Sequence, residues 1–433
     1  MEKYINIAKY IISLAKENGA DMAHCSVSES EMREFNVEGN EFSLFRTLFN
    51  RSVSITLFIN NKKGSVLINR FDEESIQDAI KNCVAAANSA GADENWEIAK
   101  DIGEKSFVKG VLVPNTEKLF FRAKELLENI KERHPLVIIE QMIVSHITKK
   151  GVYMSSTGNI YQTQSGRYSA DLMYAAHKGE KSTSFYSSDV TVTDLEKPFI
   201  ECAMIERELS DIEHQIDPQP TKGKFEGRVI FTPACLAGTV FGNICGNFAS
   251  DSSLLDGTSI WKDKLGTQVA DERISVSFKP SDPRIVCGQS FTGEGFLAED
   301  FDFIKNGKLE SFLLSQYVAN KTGNKRAPNT SGAMIIAPGE TPLADIIKNT
   351  TKGVIIGRFS GGSPGANGEF SGVAKNGFFI ENGKIVSSLS ETMISGNLAD
   401  MLKNLVAISE ETLIDGSVVA PYMAFDGITV SGK

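Results

Sequence analysis

The chain has 433 residues, 41% of them apolar and 23% charged, with a formal net charge of −10. That length exceeds one ordinary core and predicts two or three domains, and the balance is that of a folded globular protein. The acidic balance argues against a broad nucleic-acid footprint, which needs clustered Lys and Arg, so direct nucleic-acid binding is not expected.

No run approaches the roughly 18 to 20 apolar residues that span a bilayer, so no membrane partner is expected. Lys9 and Lys16 interrupt the N-terminal segment, which lacks the apolar core of a signal peptide. The six cysteines form no CxxC pair and read as buried or free thiols, and the cytoplasm is the expected compartment.

Residues 2–18 carry Ile5, Ala8, Ile12 and Ala15 on one stripe and predict an amphipathic helix. Ala23, Cys25 and Val27 alternate with polar neighbours, as do Val53, Ile55, Leu57 and Ile59, which predicts strands turning at Glu38-Gly39-Asn40 and at 60–64. Residues 73–89 return to helical spacing, and 91–114 read as a connection without strong periodicity. A long helix is predicted from Thr116, capped by Asn115 and stopped by Pro135. Residues 136–192 read as a meander of strands, and a helix over about 194–208 closes an N-terminal α+β domain, 1–210. Strands followed by a helix occur twice in it, suggesting two related lobes of about 1–90 and 115–210.

Residues 211–227, rich in Pro, Gly and charge, read as a linker. Beyond them, 228–433 is expected to be a mostly β domain, a curled sheet or barrel. Hairpin turns are predicted at Asn306-Gly307 and Asn382-Gly383, and helices near 234–250, 311–322, 341–349 and 397–408. The fold class is therefore α+β.

Sites of known chemistry are scarce. The five histidines, His24, His134, His146, His177 and His214, all precede residue 215, and none heads a His-Glu-x-x-His run. Gly361-Gly362-Ser363-Pro364-Gly365 fits a nucleophile string, yet no histidine follows it and the sequence after it alternates like a strand, so a glycine-rich loop is expected. Cys235 sits near the start of a helix, where the dipole would lower a thiol pKa, with His214 as a conceivable base. Cysteine is more often buried, so a catalytic Cys235 is the weaker reading. Glu294, Glu299, Asp300 and Asp302 cluster near a glycine turn, a weak signal by itself.

The C-terminal half resembles one family. GEFSGVAKNGFFIENGKI, 368–385, is similar to the TldD/PmbA pattern "GdFSrGasGfwIenGei", and 391–398 (ETMISGNL) to its "eiTIAGNL". The closing run from Ala420-Pro421-Tyr422 to Gly432 resembles "sP…dgltVaG". Gly257-Thr258-Ser259 with Lys264-Leu265-Gly266 resembles "GtS…klGe", and Gly293-Glu294-Gly295 part of "DdEG". In the zinc-bearing branch a helix at Leu236–Ser250 carries His-Glu-x-x-x-His. The corresponding positions here are Phe241, Gly242 and Gly246, none of which can bind a metal. That branch also ends with a cysteine ligand near the C-terminus, and 415–421 (DGSVVAP) has none.

The resemblance is therefore to the PmbA (TldE) branch, which carries the label modulator of DNA gyrase. It implies the non-metal, non-catalytic subunit of a two-subunit zinc peptidase acting on unfolded or small peptides. On that reading this chain has no catalytic or metal-binding residue of its own, and zinc is expected in a TldD-like partner. A homodimer is expected when the partner is absent, and the glycines of the helix would let a neighbouring backbone approach. Two alternatives stay open: an active hydrolase using Cys235, and a regulatory binding protein without hydrolytic activity.

Overall fold

Long hairpins dominate the N-terminal half, because alternating segments meet residues that accept positive φ. Strands β1 (Met22–Glu38) and β2 (Glu41–Ile59) are joined at Gly39 and Asn40, with φ of 57° and 66°. Asn60 and Asn61 (φ 50° and 62°) turn β2 into β3 (Lys62–Ile68). The structure is a computed structural model and describes residues 1–329, 332–390 and 392–433. Glu391 of the ETMISGNL motif lies outside the described residues.

After helices α1 (Glu2–Glu17) and α2 (Glu73–Ser89) come β4 (Glu104–Gly110), α3 (Thr116–Arg133), β5 (Val137–Ser155), β6 (Ile160–Lys178), β7 (Lys181–Ser182) and β8 (Tyr186–Val192). Asn115 caps α3 as expected, accepting from Lys118 N–H at 2.9 Å. The stretches 1–90 and 115–210 share a single eight-stranded sheet in the order β3-β2-β1-β5-β6-β4, with β7 and β8 on β6. β1 and β5 pair antiparallel from His24–Ser155 to Val37–Met142. Each end of this sheet has its own core: α1 and α2 cover Cys25, Val27 and Ile55, while α3 covers Val37, Val144 and Leu172.

Two expectations are corrected here. The connection 91–114 contains β4, which lies parallel along β6; none of its residues is buried, so it lacks the alternation that one covered face imposes. The helix expected over 194–208 starts later, because Pro198 admits one 3-10 turn at Phe199–Glu201 before α4 runs Ile205–Glu213.

In the expected linker, 211–213 finish α4, and 224–227 already belong to a strand. The C-terminal half begins with β9 (Gln219–Pro220) and β10 (Lys224–Phe231). There follow β11 (Val276–Phe278), β12 (Phe301–Lys305), β13 (Lys308–Leu309), β14 (Met334–Ile336), β15 (Lys352–Ile356), β16 (Arg358–Ser360) and β17 (Glu369–Lys375). β18 (Phe378–Glu381), β19 (Lys384–Ser390), β20 (Thr392–Asn397), β21 (Leu405–Ile414) and β22 (Val418–Ser431) complete a fourteen-stranded sheet. Both Asn-Gly turns form, with positive φ at Asn306, Gly307, Asn382 and Gly383. The helix expected over 397–408 ends at Met401, because Leu405–Ile414 is taken into a ladder with β22. Pairing overrides helical spacing there. The fold is α+β, as the sequence predicts.

The packing of α2 on β3 gives a sharp test. A Cβ on Gly64 would lie 2.0 Å from the Cys83 carbonyl oxygen. Gly64→Ala is expected to lower unfolding free energy by about 1–3 kcal/mol, read from the urea midpoint. A shift below about 0.5 kcal/mol would show that the helix is free to lift off the strand.

Candidate functional site

The helix compared above with a zinc-bearing one starts where β10 ends. Thr232 is its extended N-cap and Pro233 occupies the first turn, where a missing N–H costs nothing. Leu236, Val240, Phe241, Ile244 and Phe248 are buried against the C-terminal sheet. Residues Leu236–Phe241 form π turns and Gly242–Phe248 return to α geometry. The wide turns absorb an extra residue and hold Leu236, Val240 and Phe241 all on the core side. Such bulges are frequent at functional sites.

The three positions expected to match the zinc donors are not brought together. Phe241 is fully buried, whereas Gly242 and Gly246 are exposed. In α geometry two residues five apart lie about 140° apart around the axis, so 241 and 246 face different surroundings. Aromatic ring and bare backbone supply no donor, and this set does not fit a zinc ion. Among the described residues, no three His, Cys, Asp or Glu side chains gather closely enough to hold a metal.

Within the single chain the glycines of this helix serve no close approach. A Cβ on Gly238 or Gly246 would meet nothing within 4 Å, and one on Gly242 would meet the Ala237 carbonyl oxygen at an ordinary 3.5 Å. No backbone among the described residues approaches closely enough to need them. Gly238, Gly242 and Gly246, four residues apart, instead leave one face of the helix smooth and open. That spacing was present in the sequence; the π turns had no signal there.

The glycine-rich loop 361–368 lies against the end of this helix. Asn247 Nδ2 donates to the Pro364 carbonyl at 2.9 Å, and Asn397 Nδ2 to the Asn367 carbonyl at 2.9 Å. A Cβ on Gly368 would lie 3.0 Å from the Phe248 ring. Ser363 is exposed, and the loop runs into strand β17, so it is no nucleophile elbow. Other shared motifs are structural. Ser259 Oγ donates to the Phe248 carbonyl at 2.6 Å and accepts from Trp261 N–H at 3.0 Å, closing the helix end. Gly295 sits at φ 87°, where a Cβ would lie 2.5 Å from the Tyr153 hydroxyl, and its carbonyl accepts from Tyr161 at 2.9 Å.

The remaining candidates are quiet. Cys235 is 4% exposed, and burial pushes its thiol up to about 12, against the helix-dipole expectation of an activated thiolate. His214 is spent on the Ser210 carbonyl at 2.7 Å. Burial, with Lys63 adding, lowers His24 to about 4. His146 Nε2 donates to the Val111 carbonyl at 2.7 Å, and His134 pairs with Glu213 at 3.1 Å. Asp300 is held by Ser281, and Asp302 by Lys305 at 2.9 Å, so these carboxylates have separate partners rather than one shared task.

Two substitutions test the helix. Gly246→Ala is expected to stabilise the chain by about 0.5–1 kcal/mol, because it removes glycine's backbone entropy without a clash; a loss in thermal midpoint would show that the face is already covered. The triple variant Phe241→His, Gly242→Glu, Gly246→His is expected to bind far less than one zinc per chain by elemental analysis, because its first imidazole would enter the core. Stoichiometric, tightly held zinc would overturn that geometry.

The comparisons fit this picture. Residues 224–432 match the PmbA/TldA metallopeptidase C-terminal domain, and 25–87 match PmbA/TldA metallopeptidase domain 1, together well over half the chain. The Metalloprotease PmbA of Escherichia coli O157:H7 is 25% identical over 454 aligned positions, covering 99% of this chain and 96% of that protein. The crystal structure of TldE from Thermococcus kodakarensis superposes with a TM-score of 0.83 at 21% identity, covering 98% of this chain and all of that one. A Thermotoga maritima protein named for modulation of a DNA gyrase gives a TM-score of 0.80 at 20% identity, covering 99% of this chain and 100% of that one. The chain belongs to the PmbA/TldD metallopeptidase family, on its PmbA (TldE) branch.

Proposed function

We propose that this chain is the non-metal subunit of a two-subunit peptidase of its family, working on unfolded or small peptides in the cytoplasm. The observation that carries the reading is the central helix, whose outer face is glycine where relatives place donors and whose aligned aromatic is in the core. A TldD-like partner would supply zinc and the general base. This chain would supply wall and strand edges: β3 and β4 are the outer strands of the N-terminal sheet, with Leu67 and Val108 exposed on them. An extended peptide can add to such an edge through main-chain hydrogen bonds. Alone, the chain is expected to form a homodimer. No helix among the described residues is long and apolar enough to cross a membrane, which agrees with this setting. The Cys235 hydrolase loses ground because its thiol is buried and held protonated.

The test is reconstitution. The purified chain, a homologue carrying His-Glu-x-x-x-His, and their mixture are assayed on an unfolded protein and on short peptides. Turnover is expected in the mixture alone, abolished by a chelator and restored by zinc, with the metal tracking the partner. Chelator-resistant turnover by this chain alone would refute the reading. A mixture no more active than the homologue would favour a regulatory binding role.

A further inference from the structure

The N-terminal and C-terminal halves enclose a cleft between α4 and the C-terminal sheet. Leu343, Ile355 and Phe378 give it apolar walls. Its polar groups come from Tyr186, Glu208, Gln215 and Tyr422, with Arg207 and Asp211 also on its lining. The space open to the centre of a water molecule is about 40 Å³.

The hydrogen bonding of this lining is unequal. Arg207 is engaged, its guanidinium 5.2 Å from the Tyr422 ring and 3.8 Å from Asp211. Glu208 has no such cation: among the described residues no basic nitrogen lies within 4.0 Å of it. Its carboxylate accepts from Ser188 Oγ at 2.5 Å, and that hydroxyl is also bonded to Tyr174 at 2.7 Å. Burial raises Glu208 to about 7, with Asp211 on its own helix and Asp189 on β8 adding to the rise, while hydrogen bonds from Ser188 and Tyr186 oppose it. Tyr174 on β6 and Tyr422 on β22 complete its titratable surroundings.

Two well-buried polar groups on the lining keep spare capacity. Gln215 is 6% exposed, and its carbonyl accepts from Asn376 at 3.3 Å, while its NH2 donates to no acceptor among the described residues. Tyr422 is 3% exposed, and its hydroxyl meets only the Met204 sulfur, at 3.9 Å.

We propose that this cleft binds a primary ammonium group on a short aliphatic stem, with the Glu208 carboxylate as its counter-charge. Glu208 has no basic partner, so a cation finds its counter-charge there, whereas an anion would face Glu208, Asp211 and Asp189 together. A metal ion lacks donors, since among the described residues no three His, Cys, Asp or Glu side chains converge. The apolar walls suit the stem. The free NH2 of Gln215 suits a carbonyl oxygen beside the ammonium, as in the amino end of a peptide; a plain alkylamine or a lysine side chain has no such oxygen.

Binding of the cation requires the ionised carboxylate, so below neutrality the proton on Glu208 passes to the buffer as the ammonium enters. Affinity should therefore rise about tenfold per pH unit up to about 7 and level off above it. The full chain is titrated by calorimetry between pH 5.5 and 7.5 with propylammonium chloride, glycinamide and 1-propanol. Saturable binding of both amines with that pH profile is expected, and none of propanol. Glycinamide binding tighter than propylammonium assigns the site to peptide amino ends; the reverse order assigns it to simple alkylamines. Glu208→Gln should lose at least tenfold in amine affinity at pH 7.5 with an unchanged circular dichroism spectrum. Propanol binding as well as the amines, or affinity flat with pH, overturns the proposal, and both comparisons use the unaltered chain. The assay needs neither partner nor turnover, so its failure is separate from failure of the peptidase reading.

Discussion

The C-terminal strand β22 is the element on which both halves of the argument hang. It pairs with β10, β14, β20 and β21, and Val419–Phe425 are buried without a break. A strand covered on both faces must be apolar throughout, and this one reads VAPYMAF. Its two faces serve different cores. Met423 and Phe425 belong to the core that packs the donor-less helix, and Phe231 of β10 meets Phe425 at 6.1 Å. Tyr422 and Ala424 belong to the small core beside the cleft that holds Glu208. A polar residue at any of these positions would disturb the helix or the cleft, and with it four ladders.

The halves of the molecule are held together at widely separated places. Arg358 donates to Ser184 Oγ at 2.7 Å and lies over the Phe185 ring, and Asn376 bonds the Ser184 carbonyl at 3.2 Å. Elsewhere Lys109 donates to the Gly288 carbonyl at 2.8 Å, Tyr161 holds Gly295, and Trp96 stacks on Tyr317 at 3.7 Å. Arg358 begins the strand that leads into the glycine-rich loop, so the first clasp ties that loop's base to the N-terminal sheet. Several of the family motifs are thus read better as joints than as chemistry. Gly295 needs a backbone that passes over Tyr153, and Ser259 finishes a helix.

Local rules carried much of the fold. The Asn-Gly turns, the Asn115 cap, the alternation at Ala23, Cys25 and Val27, and the stop before Pro135 all follow from residues close in sequence. What failed was decided at a distance. β4 exists because β6 offers an edge, and 405–414 is a strand because β22 claims it. The cleft was invisible for the same reason: Glu208 reads as one more charge on an amphipathic helix until Ser188, Tyr186 and Tyr422 close around it. A helix does stand where the sequence places one, over 233–248, but the sequence does not show which of its positions share a face.

A five-residue spacing needs the helix to widen between its two donors if both are to meet one ion. Here the wide turns end at Phe241, and the segment after it is regular α-helix. The result is a phenyl ring filling the core at one position and glycines at two others, with space left empty above them. Ala or Gln at these positions would bind zinc no better and would favour the helix more. Glycine at 238, 242 and 246 costs helix stability at each position and gains no packing within the chain. The open face is thus a cost in helix stability that no contact among the described residues offsets.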